Sequence, residues 1–221
     1  MNYVPAKRTR RLFAASMLSL GVAGCSVTGG ELQTVKFAGQ RPPVMAHYDA
    51  LAAEKFPVEA VDASRIDQEF LKQVVDYRSS QPPGTVVVDP HRRFLYLVQK
   101  GEKAIRYGVG VGREGLAFAG TGIVQEKKEW PHWTPTPAMI AREPERYAKW
   151  AKGMDGGVGN PLGARALYLY RDGKDTLYRI HGTTEPDSIG KAVSSGCIRM
   201  MNQDVIDLFG RVPLGAKVVV L

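Results

Sequence analysis

Apolar and polar positions along this chain change over in short bursts, and the bursts are mostly β in texture. Thr85–Asp89 is a β-branched run, Pro90-His91-Arg92-Arg93 is a turn, and Phe94–Gln99 is a second run, together predicting a hairpin. Lys100-Gly101-Glu102 turns again into a strand over Lys103–Val111. Arg165–Arg171 and Thr176–Ile180 predict another strand pair around Asp172-Gly173-Lys174, and Lys217–Leu221 a closing strand. Asp204–Leu208 suits a short helix. Short strands with frequent turns and few helices predict a mainly β fold, a sandwich with small helical insertions. Upstream the period changes. Ile66, Phe70, Leu71, Val74 and Val75 fall at i, i+4, i+5, i+8 and i+9, which predicts an amphipathic helix packed alongside, capped by Asp62 or Ser64. Gln81-Pro82-Pro83-Gly84 breaks that pattern and divides a helical arm, 47–83, from the β domain, 84–221.

The first 24 residues read as an export signal. Lys7, Arg8, Arg10 and Arg11 precede an apolar run, Leu12–Val22, too short to span a bilayer as a permanent helix. The run closes on Val22-Ala23-Gly24-Cys25, which resembles the lipobox of bacterial lipoproteins; the alternative is an ordinary cleaved signal with an incidental cysteine. Thr9-Arg10-Arg11-Leu12-Phe13 also has a twin-arginine look, so the export route stays open. Ser26 rather than Asp after Cys25 favours onward transport to an outer membrane where the host has one. Residues 25–46, rich in Gly, Thr, Gln and Pro, read as a flexible tether.

Composition adds little beyond this. Hydrophobic content of 44% and charged content of 24% are those of an ordinary globular protein. The net charge is +8, and the four basic residues of the signal supply half of it. The mild remainder suits an anionic polymer or surface but lacks the basic stripe of a nucleic-acid binder. Gly110-Val111-Gly112-Arg113-Glu114-Gly115 matches a dinucleotide fingerprint. The glycine-interrupted stretch after it is no helix N-terminus, so those glycines are read as turn residues. The segment Glu129-Trp130-Pro131-His132-Trp133 to Met139 either walls a substrate cleft or completes the core with its aromatics.

The chemistry gathers at two short stretches. There are two cysteines, so if Cys25 is acylated, Cys197 is the thiol that remains in an oxidising compartment. It follows Ser194, Ser195 and Gly196, which suit a tight turn rather than an apolar core, and one thiol excludes a multi-cysteine zinc site. A thiol nucleophile needs a base and a group to orient that base. His181, sixteen positions upstream, ends an apolar strand and precedes Gly182; His91 and His47 read as solvated, and His132 as able to reach a cleft. The order histidine before cysteine excludes papain-like peptidases.

Ile180-His181-Gly182-Thr183, Ser188-Ile189-Gly190 and Ser194-Ser195-Gly196-Cys197-Ile198-Arg199-Met200 closely resemble the L,D-transpeptidase catalytic domain of the YkuD type. The likeness runs over residues 84–221, through Asn202, Asp204 and Leu208. One departure is Ser195, where many members carry a second histidine. The resemblance implies that Cys197 attacks a peptidoglycan tetrapeptide stem between its diamino acid and D-alanine. It implies His181 as the base, the Gly182 carbonyl as its orienting group, and the amides of Ser195, Gly196 and Cys197 as the oxyanion site. Arg199, Ser194, Trp133 and Met139 are the candidate substrate-binding residues, with Arg199 either holding a stem carboxylate or bracing the cysteine loop. No cofactor or metal is required, and no nucleic-acid partner is expected. The acyl acceptor stays open between a stem amine, water and the lysine of an envelope protein. A peptidoglycan-binding lipoprotein without activity is the rival of another class.

Overall fold

The computed structural model describes residues 43–112, 119–194 and 196–221. The expected signal, Cys25 and nearly all of the tether therefore lie outside the described residues, as do Arg113 to Gly115 of the glycine motif and Ser195. A short helix, α1 (Pro43–Ala46), is the first element among the described residues. Among the described residues eleven strands follow, nine of them in one sheet. They are β1 (Gln73–Asp76), β2 (Val86–Asp89), β3 (Phe94–Val98), β4 (Lys103–Gly108), β5 (Val111–Gly112), β6 (Gly120–Glu129), β7 (Arg165–Arg171), β8 (Lys174–His181), β9 (Ala192–Ser194), β10 (Ile198–Arg199) and β11 (Lys217–Val220). The large sheet runs β1-β4-β3-β2-β11-β6-β7-β8-β10, and β5 pairs with β9 apart from it. Pairing is antiparallel except for β11 with β2, β10 with β8, and β5 with β9.

The sheet bends round until its ends meet. Just past β4, Gly110 donates its N–H to the Arg199 carbonyl at 2.9 Å, and Arg199 donates back to Gly110 at 2.8 Å. A strand near one edge is thereby bonded to the strand at the other edge. The two halves enclose one core that includes Val86, Leu95, Tyr107, Leu167, Ile180, Ile198 and Val218, with Val205 and Leu208 of α4 (Asn202–Arg211) filling its side. This is the mainly β architecture with few short helices that the strand pattern implies. The remaining helices, α2 (Pro137–Arg142) and α3 (Pro144–Tyr147), each start on a proline, where a missing N–H costs nothing.

The expected amphipathic helix is absent, and this is a correction. Ile66, Phe70 and Leu71 are buried, as one apolar face requires. The backbone, however, makes two 3-10 turns, Ala63–Arg65 and Gln68–Phe70, and then enters β1. Asp62 does cap the first turn, accepting the Ser64 N–H at 3.1 Å. Val74 is 71% exposed, which no helix face would have placed beside the buried Leu71. The β-branched pair Val74-Val75 and the otherwise unpaired edge of β4 favour a strand, and β1 takes four ladder positions from Gln73↔Arg106 to Asp76↔Lys103. The arm is therefore a strap. Its Tyr48, Ala63, Ile66, Phe70 and Leu71 cover Val87, Phe94, Tyr96, Val98 and Ala104 on the outer face of β2–β4. With both faces covered, β2 and β3 are apolar without alternation.

Candidate active site

Strand β10 lies parallel to the end of β8, with Ile198 opposite Ile180 and Arg199 opposite His181. Ile180 and Ile198 both point into the core, each fully buried. Because successive side chains alternate, the opposite face receives His181 and Arg199, and one step back Arg179 and Cys197. The sheet register thus gathers four chemically active side chains from two stretches distant in sequence.

His181 is 5% exposed, and its Nδ1 lies 2.6 Å from the Gly182 carbonyl oxygen. A carbonyl only accepts, so Nδ1 carries the proton and Nε2 presents its lone pair; the tautomer is assigned from this partner. Burial, then the positive charges of Arg199 and Arg179, lower the imidazole pKa to about 4 against the opposing pull of the Gly182 carbonyl. His181 is consequently neutral at neutral pH and fit to accept a proton at Nε2.

The carbonyl that sets this tautomer is itself held in place. Gly182 donates to the Arg165 carbonyl at 3.1 Å. Asn202, the first residue of α4, accepts the Ala164 N–H at 3.0 Å through Oδ1 and donates to the Thr183 carbonyl at 3.0 Å through Nδ2. A β-carbon on Gly182 would come within 2.2 Å of Asn202 Oδ1, so a side chain there displaces the clamp. Asn202 was visible in sequence only as part of the family likeness, because a polar residue opening a helix has no distinctive signature.

Cys197 is half-buried and in no disulfide. Its thiol faces the Leu177 carbonyl at 3.9 Å, and the Arg179 peptide N–H bonds to the sulfur. Burial pushes the thiol pKa up, while that N–H and the charges of Arg179 and Arg199 pull against it. At neutral pH this face therefore carries a protonated thiol and a neutral imidazole rather than an ion pair. Gly196 has φ +129°, a conformation that L side chains rarely adopt, so the turn leading to the cysteine requires a glycine.

The other candidates are distributed as follows. Arg199 binds Glu185 at 2.9 Å, and Arg146 reaches the same carboxylate at 3.3 Å, so Arg199 ties β10 to the loop after His181. Ser194 belongs to β9 and pairs in register with Gly112. Trp130 is buried in a satellite core with Val58 and Ala164; its Nε1–H donates to Glu54 at 3.3 Å, and its ring meets Phe56 edge-on. Trp133 is buried as well, exchanging backbone bonds with Met154 and meeting Tyr147 edge-on. Met139 is half-buried on α2, where its N–H caps onto Thr136. Of the two readings of this aromatic segment, these packing contacts match the core one. His132 pairs with Asp155 at 3.0 Å, and His91 is exposed. His47, expected in solvent, instead bonds through Nε2 to the fully buried Asp204 at 2.9 Å, a second correction. Among the described residues, no group of three or more His, Cys, Asp or Glu could hold a metal ion.

Arg179 was missed by sequence reasoning. Its guanidinium makes two 2.7 Å bonds to Asp175 and lies 4.2 Å over the Tyr168 ring. The signal was an opposite-charge pair inside a strand, where period two puts both residues on one face.

Residues 83–220 match the family model "YkuD: L,D-transpeptidase catalytic domain". The probable L,D-transpeptidases ErfK/SrfK and YbiS of Escherichia coli are 34% and 35% identical over 140 and 137 residues. Those matches take in 62% and 61% of this chain but 44% and 43% of the relatives, so the chain spans less than half of their length. The putative L,D-transpeptidase YqjB of Bacillus subtilis is 46% identical over 109 residues, 48% of this chain and 59% of that protein. A crystal structure titled as a probable carnitine operon oxidoreductase caia from Brucella melitensis is 51% identical, over 72% of this chain and 99% of that one. Its TM-score of 0.49 is too low to bear on fold or chemistry.

Proposed function

This chain belongs to the L,D-transpeptidase family through its YkuD-type catalytic domain, and from that premise we propose that it is a cysteine-dependent acyl transferase acting on peptidoglycan stem peptides. The carrying observation is the 2.6 Å contact of His181 Nδ1 with the Gly182 carbonyl, on the strand-pair face that also holds Cys197. It leaves Nε2 as the acceptor on a buried, neutral ring. Cys197 attacks the carbonyl between the diamino acid and D-alanine of a tetrapeptide stem as its proton passes to Nε2. The amides of Gly196 and Cys197 take the developing oxyanion. The C–N bond breaks, D-alanine leaves with the proton returned from His181, and a thioester remains on Cys197. A side-chain amine of a second stem attacks that thioester, releasing the thiol and forming a direct cross-link between the third residues of two stems.

The protein works outside the cytoplasm in this reading, exported by residues 1–24 and lipid-anchored through Cys25. Water or an envelope protein's lysine would serve as acceptor through the same thioester. Cys197→Ala is expected to abolish covalent labelling by a carbapenem, followed by intact-protein mass, while the melting temperature is retained. An adduct that persists in Cys197→Ala sinks the assignment. Muropeptide mass spectrometry of cells with and without the protein then identifies the acceptor.

A further inference from the structure

β8 is not a regular strand. Between Tyr168↔Arg179 and Tyr170↔Asp175 its register against β7 slips, and Leu177 in the slip has φ +58° while the residue is 76% exposed. A bulky residue in the left-handed region persists only where its surroundings over-determine it. They do so here. The Asp175 carboxylate accepts the Leu177 N–H at 2.8 Å, the Thr176 hydroxyl donates to the Leu169 carbonyl at 2.6 Å, and the Tyr178 N–H donates to the Thr176 hydroxyl at 3.1 Å. The bulge thus presents two backbone groups to one atom: the Leu177 carbonyl and the Arg179 N–H both address Cys197 Sγ.

The guanidinium of Arg179 is built with the same care. Both Asp175 oxygens hold it at 2.7 Å, and the Tyr168 face supports it at 4.2 Å, with the side chain 14% exposed. A planar guanidinium gripped in this fork keeps its direction, which an ammonium on a flexible stem would not. Asp175 therefore has a double duty, shaping the bulge and aiming the charge.

We propose that Arg179 is the thiolate-positioning residue of this site, holding the sulfur with its peptide N–H and offsetting with its fixed guanidinium the negative charge that attack requires. The inference rests on the transpeptidase reading above and deepens it. When the S–H proton moves to His181 Nε2, the Leu177 carbonyl loses its donor and repels the anion. The Arg179 N–H and guanidinium then become the attractive partners, and they oppose the burial and the Asp175 charge that favour the neutral thiol. Arg199 and His181 share this face. Tyr178, whose hydroxyl burial and then Cys197 hold above the usual phenol range, and Asp175 are the other titratable groups near the sulfur.

The test is the pH dependence of Cys197 alkylation by iodoacetamide in the folded protein, alongside carbapenem acylation. Removing a neighbouring charge from a thiolate moves its pKa by about one unit or more. Arg179→Gln is therefore expected to displace the alkylation profile upward by about one pH unit and slow alkylation near neutrality about tenfold. Both variants keep the peptide N–H; Arg179→Lys also keeps the charge and should recover most of that shift. A purely structural role predicts equal losses in both variants without a displaced profile, and that result overturns the proposal. So does an Arg179→Gln profile that superposes on the wild type. Wild-type protein that takes up no carbapenem would instead remove the transpeptidase reading itself, so the two failures are distinguishable.

Discussion

The sharpest consequence of the His181 environment concerns stability, and it has a sign. In the fold, burial holds the imidazole pKa at about 4; in the unfolded chain it returns to 6.5. Below 6.5 the unfolded chain therefore gains a proton that the folded chain refuses until about pH 4. Stability from this residue is full above 6.5 and is lost as pH falls toward 4, at ~1.4 kcal/mol per pH unit. Across the whole window this amounts to about 3 kcal/mol. His181→Asn removes the titration while its amide can still donate to the Gly182 carbonyl. Urea unfolding of both proteins at half-unit steps from pH 7.5 to 3.5 gives two stability curves. Carboxylates common to both cancel on subtraction, leaving the His181 contribution alone. The wild-type advantage should shrink by about 3 kcal/mol on acidification. A difference that stays flat with pH would refute the buried, neutral histidine and the base role that depends on it.

Two further outcomes follow from the packing. Gly182→Ala should destabilise by about 2–4 kcal/mol, from the overpacking against Asn202 and the loss of its bonds to Ala164 and Thr183, as read by denaturant unfolding. A wild-type midpoint would mean that the clamp yields without cost. A chain cut back to residues 83–221 loses Tyr48, Ile66, Phe70 and Leu71 at roughly 1.5–3 kcal/mol each, comparable with a whole domain's stability. Weak near-ultraviolet circular dichroism and dye binding are expected, and a cooperative melt at the full-length temperature would contradict the strap's role.

What the sequence made legible was whatever local pattern decides. The β2–β3 hairpin, β7 and β11 agree with expectation to within a residue or so, because β-branched runs between strong turn residues leave few alternatives. β6, ten residues long, was hidden because its start is interrupted by glycine and its exposed face carries mixed charge. The strap was misread because five apolar residues at near-helical spacing also suit two tight turns and an edge strand; the open edge of β4 decides, and that edge is a tertiary fact. At the site, the histidine and cysteine stretches were visible through their motif. Arg179 was not, and Asn202 was visible only within the family likeness with no role attached, since each acts through a partner that only the register or the start of α4 brings near.

The strap also changes how the site is held. The first three residues of α4 divide the work: Asn202 clamps Ala164 and Thr183, while the next two face the strap. Gln203 donates to the Glu59 carbonyl at 2.9 Å, and Asp204 accepts from His47 at 2.9 Å and from the Tyr48 hydroxyl at 3.2 Å. One turn on, Asp207 takes the Tyr107 hydroxyl at 2.6 Å, Lys72 at 2.9 Å and Arg211 at 2.9 Å. Burial works against both carboxylates. At Asp204 it prevails and raises the pKa despite the His47 bond, whereas at Asp207 the Arg211, Tyr107 and Lys72 donors outweigh it and hold the group well below the usual carboxylate range. A fully buried Asp204 is thus a poor source of net stability, because the cost of removing it from water consumes most of what its partners return. What such a network does supply is direction. Its bonds tie α4 to the strap, and Asn202 at the start of the same helix holds the Thr183 carbonyl, next in the chain to the one that sets the His181 tautomer. The family match begins at residue 83, yet the geometry of the histidine depends on residues 47, 48, 59 and 72. The unit that supports the candidate site is therefore larger than the stretch that matches the family model.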